Sequence, residues 1–150
     1  MMQTNTAVIE GLERLLANTY TLVVMTQNVH WNVNDNVFFA IHSMTEKQYE
    51  ELFEAVDIIA EHIRSRGQGI DATLASFIAK SSITPPNDGL QSVDDYLQHL
   101  IDGHAQLREE LEQLRLIAVD AVDSATEDLI NDRMREHDKI LWMLRSSLKA

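Results

Sequence analysis

The residues of this sequence that could do chemistry are histidines and carboxylates, because it contains no cysteine. Without a thiolate the chain cannot build a disulfide, a zinc–cysteine site, an iron–sulfur cluster or a thiol nucleophile. A bound metal would therefore need imidazole, carboxylate or backbone ligands. A lone histidine on a helix is usually a packed or surface residue, so only a group with a shared spacing indicates a metal site. The histidines are His30, His42, His62, His99, His104 and His137.

One such spacing lies in the second predicted helix, where Glu46 follows His42 by four residues and Glu61 follows Asp57 by four. Residues four apart share a helix face, so each pair could chelate an ion. At about 100° per residue all four side chains fall on one stripe. The ends of this stripe lie about 28 Å apart, at about 1.5 Å per residue, so one ion cannot bridge the two pairs within a chain.

Two copies of this helix, packed antiparallel about a twofold axis, would bring the pairs together. The start of one copy would face the end of the other, and two symmetric sites would form between the chains. His30, at the end of the first predicted helix, would lie beside them. Histidine and carboxylate ligands without sulfur suit Fe(II), Mn(II) or Zn(II), and an incomplete ligand shell leaves room for an oxidant.

The alternative is that Glu46, Asp57 and Glu61 are ordinary solvated residues, as their neighbours Glu50 and Glu54 are expected to be. Large apolar side chains on the same flank oppose this, because a solvated face should have none. The pattern alone leaves both interpretations open. The apolar side chains are Trp31, Phe38 and Phe53. Trp31 is also a candidate radical sink for stray oxidising equivalents, with interface packing as the alternative.

Hydrophobic residues repeat every three and four positions along four segments, which predicts four amphipathic helices. The first two cover about residues 6–30 and 37–66, and the turn-rich segment 32–36 separates them. Asp35 or Asn36 is the predicted cap of the second helix. Capping boxes predict where the other two helices begin. These are Ser92 with Asp95, before a third helix that ends near residue 119, and Ser124 with Glu127, before the fourth.

The connection between the second and third helices is typical of a linker. Gly67 and Gly69 stop the helical pattern, and the run 81–89 contains Pro85 and Pro86 and cannot resume it. Residues 71–80 could make two or three helical turns. Four helices of about 25 to 30 residues predict an all-α four-helix bundle in a single domain, 1–150, and the long connection predicts a crossover along the bundle.

The charge balance limits the partners of the chain. Twenty-four acidic and twelve basic residues give a formal net charge of −12. Nonspecific DNA binding depends on lysine and arginine at phosphates, and neither end carries a basic tail, so we expect DNA binding to be weak or absent. No apolar segment is long enough to cross a bilayer, and the first residues do not form a secretory signal. We therefore expect no membrane partner and a cytoplasmic location.

Four runs of the sequence form specific motifs: His30-Trp31-Asn32-Val33, Phe38-Phe39-Ala40-Ile41-His42 with Glu46, Asp57-Ile58-Ile59-Ala60-Glu61, and Trp142-Met143-Leu144. In these motifs the sequence resembles the Dps family of mini-ferritins (DNA-binding proteins from starved cells), and the resemblance covers nearly its whole length. An ordinary ferritin differs from this pattern, because it carries a Glu-x-x-His motif inside each bundle. Glu61-His62 does not supply that motif. The fold that the resemblance implies is a ferritin-like four-helix bundle whose helix 2–3 crossover carries a short helix.

The resemblance implies a hollow homododecamer that oxidises Fe(II) and stores Fe(III) mineral. The implied oxidant is hydrogen peroxide, or O₂, and the reaction takes place at ferroxidase centres between subunits. The implied alternative is a DNA-compacting or structural dodecamer without significant ferroxidase activity. The implied ligands are His30, His42 and Glu46 of one subunit, with Asp57 and Glu61 of its twofold mate.

Two further features follow from the resemblance. In this family the turn before the last helix lines threefold pores, so Asp120, Asp123 and Asp128 are candidate pore residues, with capping and solvation as the alternative. The family usually has glycine where Asp35 stands and arginine where His62 stands. These departures leave every ligand position in place, although Asp35 could change the turn that aims His30.

Overall fold

In the computed structural model, which describes residues 5–85 and 89–149, every regular element is a helix. The predicted all-α bundle and the short helix in its crossover are both confirmed. Pro86, Asn87 and Asp88 of the predicted linker lie outside the described residues. The helices are α1 (Thr6–Asn32), α2 (Phe38–Ser65), α3 (Leu74–Lys80), α4 (Val93–Asp120) and α5 (Ser124–Ser146).

The four long helices share one apolar core. α1 packs against α2 and α4, and α5 packs against the same two helices, so α1 and α5 occupy opposite corners of the bundle. The short α3 packs against α1. Each fully buried leucine or isoleucine contributes about 1.5–3 kcal/mol through the hydrophobic effect. Leu12, Leu52, Leu107 and Ile130 represent the four long helices in this core. No helix in the described ranges is both long and apolar enough to cross a membrane.

The capping box at the start of α4 is confirmed. The Ser92 hydroxyl accepts the N–H of Asp95 at 3.0 Å, and the Asp95 carboxylate accepts the N–H of Ser92 at 3.0 Å. At α5 the predicted box of Ser124 and Glu127 is wrong. Asp123, one residue earlier, is the N-cap and accepts the N–H of Thr126 at 3.1 Å. A carboxylate satisfies the free N–H groups and also faces the positive end of the helix dipole.

The predicted cap of α2 by Asp35 or Asn36 is also wrong. Val37 precedes the helix and makes no side-chain cap. The backbone carbonyl of Asp35 accepts the N–H of Phe38 at 2.9 Å instead, so the main chain closes the turn. α3 begins later than residue 71, because the Thr73 hydroxyl caps it by accepting the N–H of Ser76 at 3.1 Å.

A buried asparagine fixes the crossover to the bundle. The Asn18 side chain is fully buried, and its NH₂ group donates to the Ser82 hydroxyl and to the Glu110 carboxylate, each at 2.9 Å. Its carbonyl oxygen accepts the N–H of Ser82 and the hydroxyl of Ser81, also at 2.9 Å. One side chain of α1 therefore holds the end of the crossover against α4. We call these four residues the Asn18 clamp.

Candidate metal centre

The end of α1 and the start of α2 hold two histidines in a reciprocal arrangement. The His30 Nδ1–H donates to the carbonyl of His42 at 2.8 Å, and the His42 Nδ1–H donates to the carbonyl of His30 at 2.8 Å. The rings stack with centroids 3.6 Å apart. Because a carbonyl oxygen only accepts, Nδ1 carries the hydrogen in both rings, and the lone pair of each neutral ring lies on Nε2. Such a ring is oriented and ready to bind a metal through Nε2.

Three side chains that the sequence did not assign to the site support these rings. The Thr45 hydroxyl, fully buried, donates to the carbonyl of Ile41 at 2.7 Å and lies 3.2 Å from His30 Nδ1. Tyr49 meets His30 edge-on at a centroid distance of 5.2 Å, and Phe38 stacks on His42 at 4.9 Å. Thr45 and Tyr49 lie three and seven residues after His42, on the same face of α2. This helical spacing is the signal that could have found them.

The carboxylates predicted as ligands lie on α2 in two places. Glu46 is exposed one turn after His42, whereas Asp57 and Glu61 are exposed towards the other end of the helix. Among residues 5–85 and 89–149, no three histidine, aspartate or glutamate side chains lie close enough to hold a metal. The single chain brings His30 and His42 together and leaves the aspartate–glutamate pair apart from them.

Five large apolar side chains of α1 and α2 are exposed to solvent. Trp31, Phe39 and Ile58 are 68%, 78% and 56% exposed, and Phe38 and Phe53 are exposed to about 40%. We call these five residues the aromatic face. Exposed apolar side chains in this number are typical of a surface that another chain covers. Phe38 stacks on His42, and Ile58 follows Asp57 directly in the sequence.

The three aspartates at the α4–α5 turn are in different environments. Asp120 and Asp128 are exposed. Asp123 caps α5 and also forms an ion pair with Arg66 at the end of α2. Burial acts to raise the pKa of Asp123, but hydrogen bonds from Thr126 and Arg66 outweigh it and hold the pKa below its ordinary value. Asp123 is therefore a structural carboxylate in this chain.

His62 takes part in the same network and points away from the histidine pair. Its Nε2–H donates to the Thr126 hydroxyl at 2.8 Å, and that hydroxyl donates to Asp123 at 2.8 Å. Burial and the nearby Arg66 guanidinium lower the pKa of His62, and Asp123 opposes them. A cavity of about 650 Å³ adjoins His62 and Arg66 at this end of the bundle. His62 connects α2 to α5 here.

This helical bundle is similar to proteins of known type. A model of the ferritin-like domain family matches residues 9–150. A DNA protection during starvation protein from Brevibacillus brevis is 33% identical over 92% of this chain and 92% of its own length. A solved Dps structure from Bacillus brevis aligns with a TM-score of 0.91 and 31% identity, covering 98% of this chain and 100% of that one.

A second solved structure is similar at lower identity. The Dps protein of Vibrio cholerae O1, described as a member of a broad superfamily of ferritin-like diiron-carboxylate proteins, gives a TM-score of 0.88 at 27% identity. The alignment covers 95% of this chain and 89% of that one. The chain belongs to the ferritin-like family, and within that family to the Dps proteins.

Proposed function

We propose that this chain is an iron-oxidising and iron-storing mini-ferritin, assembled as a homododecamer in the cytoplasm. Fe(II) is its substrate, and Fe(III) mineral is the stored product. Hydrogen peroxide, or O₂, is the oxidant. The observation that carries the proposal is the reciprocal His30–His42 arrangement, which engages both Nδ1 atoms and leaves both Nε2 lone pairs for a metal. Membership of a family that includes diiron-carboxylate proteins supports iron as the metal.

The proposed site is shared between two subunits. One subunit supplies His30, His42 and Glu46, and its twofold mate supplies Asp57 and Glu61. The aromatic face supports this arrangement, because a second copy packed on it would remove these side chains from water. Carboxylates from the mate would complete a nitrogen and oxygen ligand set that suits Fe(II).

The proposed reaction balances with peroxide as the electron acceptor. Two Fe(II) ions each give up one electron, and the O–O bond of one peroxide molecule breaks as it takes both. Two protons are consumed and two water molecules form. Because the peroxide is reduced by two electrons at once, no hydroxyl radical is released. Trp31, 68% exposed beside the site, is a proposed sink for any single oxidising equivalent that escapes.

We propose an iron entrance at the α4–α5 turn, where symmetry would repeat exposed carboxylates around a threefold axis. Asp120 and Asp128 are the exposed aspartates there. Repeated carboxylates raise the local concentration of cations. Asp123 is a third candidate for this role, and it also supports the turn through its bonds to Arg66 and Thr126.

The ferroxidase proposal is tested by mixing protein with Fe(II) without oxygen, adding peroxide, and following ferric absorbance. Asp57→Asn/Glu61→Gln removes the ligand charges and keeps the shape. We expect the initial rate to fall by more than about tenfold. Glu50→Gln/Glu54→Gln removes the same charge from exposed positions of α2 and should keep the wild-type rate. A wild-type protein no faster than buffer, or a ligand variant equal to its control, contradicts the proposal.

A mixing experiment tests whether two chains share the site. Subunits with His30→Ala/His42→Ala are co-refolded with subunits that carry Asp57→Asn/Glu61→Gln. A mixed dimer then has one site that keeps only Glu46 of its five proposed ligands and one intact site, so activity should return in the mixture. If the site belonged to a single chain, the mixture would be as inactive as either variant alone.

The alternative function is DNA compaction or a structural role without significant ferroxidase activity. The name of the Brevibacillus brevis relative, a DNA protection during starvation protein, is the observation that favours it. A formal net charge of −12 opposes direct DNA binding. The peroxide assay separates the two, because a structural protein would oxidise iron no faster than buffer.

A further inference from the structure

A second pair of histidines lies inside the bundle, away from the proposed iron site. His104 of α4 and His137 of α5 are both fully buried, and their Nδ1 atoms are 2.8 Å apart. Arg133, one turn before His137, is buried too and forms an ion pair with Glu51 of α2. The Arg133 guanidinium lies 3.4 Å from His137 Nε2. This cluster connects three of the four long helices through their core.

The guanidinium fixes the position of every imidazole hydrogen in the cluster. Arg133 only donates, so His137 Nε2 must be the acceptor and His137 must carry its hydrogen on Nδ1. That hydrogen points at His104 Nδ1, which must then accept it. The hydrogen of His104 therefore lies on Nε2, a buried atom with no hydrogen-bond partner among the described residues. Both rings are neutral in this arrangement.

An added proton cannot be accommodated in this arrangement. If His104 takes it, both Nδ1 atoms carry hydrogen and the His104–His137 bond is lost. If His137 moves its hydrogen to Nε2 to restore that bond, the His137 Nε2–H faces an N–H of the Arg133 guanidinium, and neither group can accept. In either case a second positive charge enters a core that already holds a guanidinium, at a high desolvation cost.

The charged groups around the pair do not offset this cost. Arg133 from α5 and Arg108 from α4 are both positive and act on His137. Glu51 from α2 is negative but is engaged by Arg133. α1 contributes only uncharged side chains to the described core, apart from His30 at its far end. No carboxylate in the described residues contacts either ring to stabilise an imidazolium.

We propose that the His104–His137 pair is an acid-operated switch in the bundle core: uptake of a proton by either ring breaks the bond between α4 and α5 and loosens α5 from the bundle. Acid would then trigger loss of the packed structure from a pair that is separate from the proposed iron ligands. The switch needs no ligand other than a proton.

The direction of the pH dependence follows from linkage. Burial and the Arg133 charge lower the pKa of His104 to about 3, and burial, His104 and Arg133 lower the pKa of His137 well below its ordinary value. Below about pH 6.5 these two histidines bind protons in the unfolded chain but stay neutral in the folded chain. The unfolding equilibrium constant should therefore rise, by up to about tenfold per pH unit for each histidine, until the pH approaches the folded pKa.

The test follows thermal unfolding by circular dichroism between about pH 8 and pH 4, at one protein concentration because assembly affects Tm. His104→Asn/His137→Asn keeps a polar pair at the Nδ1 positions but cannot titrate there. We expect the wild-type Tm to fall below about pH 6.5 and the Tm of the double variant to fall much less. His99→Asn, a half-buried histidine of α4, is the matched control and should follow the wild type. A double variant with the wild-type pH slope overturns the proposal.

A second measurement applies if the double variant does not fold. NMR of wild-type protein with ring-¹⁵N histidine should show His137 protonated on Nδ1 and His104 protonated on Nε2 at neutral pH. Both rings should stay neutral well below pH 6.5 while the protein is folded. A buried ring that carries charge near pH 6.5 in the folded protein overturns the proposal.

Discussion

At the scale of single residues, environment gives the same side chain two opposite roles. His30 and His42 donate through Nδ1 to backbone carbonyls and keep Nε2 for a metal. His104 and His137 bind each other inside the core, where burial lowers the pKa of both rings. The partner of each Nδ1 atom, a backbone carbonyl or a second imidazole, separates the proposed ligands from the proposed proton switch.

The ion pair of Arg133 with Glu51 yields a prediction for stability. Glu51→Gln leaves the Arg133 charge in the core without its partner, so we expect the protein to lose about 3 kcal/mol of unfolding free energy. Replacing both residues, in Glu51→Leu/Arg133→Met, removes the stranded charge and should recover most of this loss. Chemical denaturation at fixed protein concentration measures both values. Glu50→Gln is the control, and an equal cost for Glu50 and Glu51 would contradict the prediction.

At the scale of helices, polar side chains fix both the ends of elements and their positions. Caps fix where a helix begins, and the Asn18 clamp fixes the crossover against α1 and α4. Asp123 is both the N-cap of α5 and the partner of Arg66 at the end of α2, so one carboxylate fixes the relation of two helices. The Asn18 clamp does the same for the crossover, which α1 and α4 hold between them. These polar contacts set the register in which the apolar stripes pack.

We expect Asn18→Ala to loosen the crossover. The change removes a fully buried side chain that makes four hydrogen bonds, and it leaves the polar groups of Ser81, Ser82 and Glu110 without these partners. We expect a loss of about 2–4 kcal/mol, at about 1 kcal/mol per bond. Hydrogen–deuterium exchange should accelerate most at residues 81–85. Asn28→Ala, at an exposed position of the same helix, should change neither the free energy of unfolding nor the exchange rate at residues 81–85. Equal exchange in the two variants would refute the role of Asn18 in holding the crossover.

At the scale of the whole molecule, charge and exposed apolar surface favour different partners. The surplus of twelve negative charges repels polyanions and attracts cations. The aromatic face, in contrast, favours a partner with matching apolar surface, and a second copy of the chain is the proposed one. The two properties together fit a protein that assembles with itself and gathers metal ions.

The charge predicts how the protein behaves with DNA. In an electrophoretic mobility assay near neutral pH, at physiological salt and without divalent ions, we expect no shift of duplex DNA. Mg²⁺ could bridge the carboxylates and phosphates, so the same assay with Mg²⁺ is the comparison. A strong shift without divalent ions would show that local basic groups outweigh the net charge.

The proposed assembly predicts a solution mass. Twelve chains of 17.1 kDa give about 205 kDa by light scattering, independent of dilution over the micromolar range. Phe39→Lys places a charge on the most exposed ring of the aromatic face and should lower the mass while the helical content stays unchanged. A monomeric wild type would remove the basis for a site shared between subunits.

The sequence by itself determined the helices, the bundle and the spacing of the proposed ligands. Apolar residues every three and four positions specify which face of each helix is buried, and that signal is local, so the four long helices were predicted. The i, i+4 spacing of His42 with Glu46 and of Asp57 with Glu61 was readable for the same reason. Helix ends were less certain, because neighbouring polar residues compete for one cap, as Asp123 and Ser124 do.

Only the tertiary structure decided which side chains meet across helices. The reciprocal bonds of His30 and His42, the support from Thr45, and the pairing of His104 with His137 join residues 12 to 33 positions apart. A position in an apolar stripe, such as that of His104 between Leu100 and Leu107, could have placed it in the core. It could not have named the partner, because that depends on how far each helix is shifted and rotated against its neighbour. These two packing variables are properties of the folded bundle.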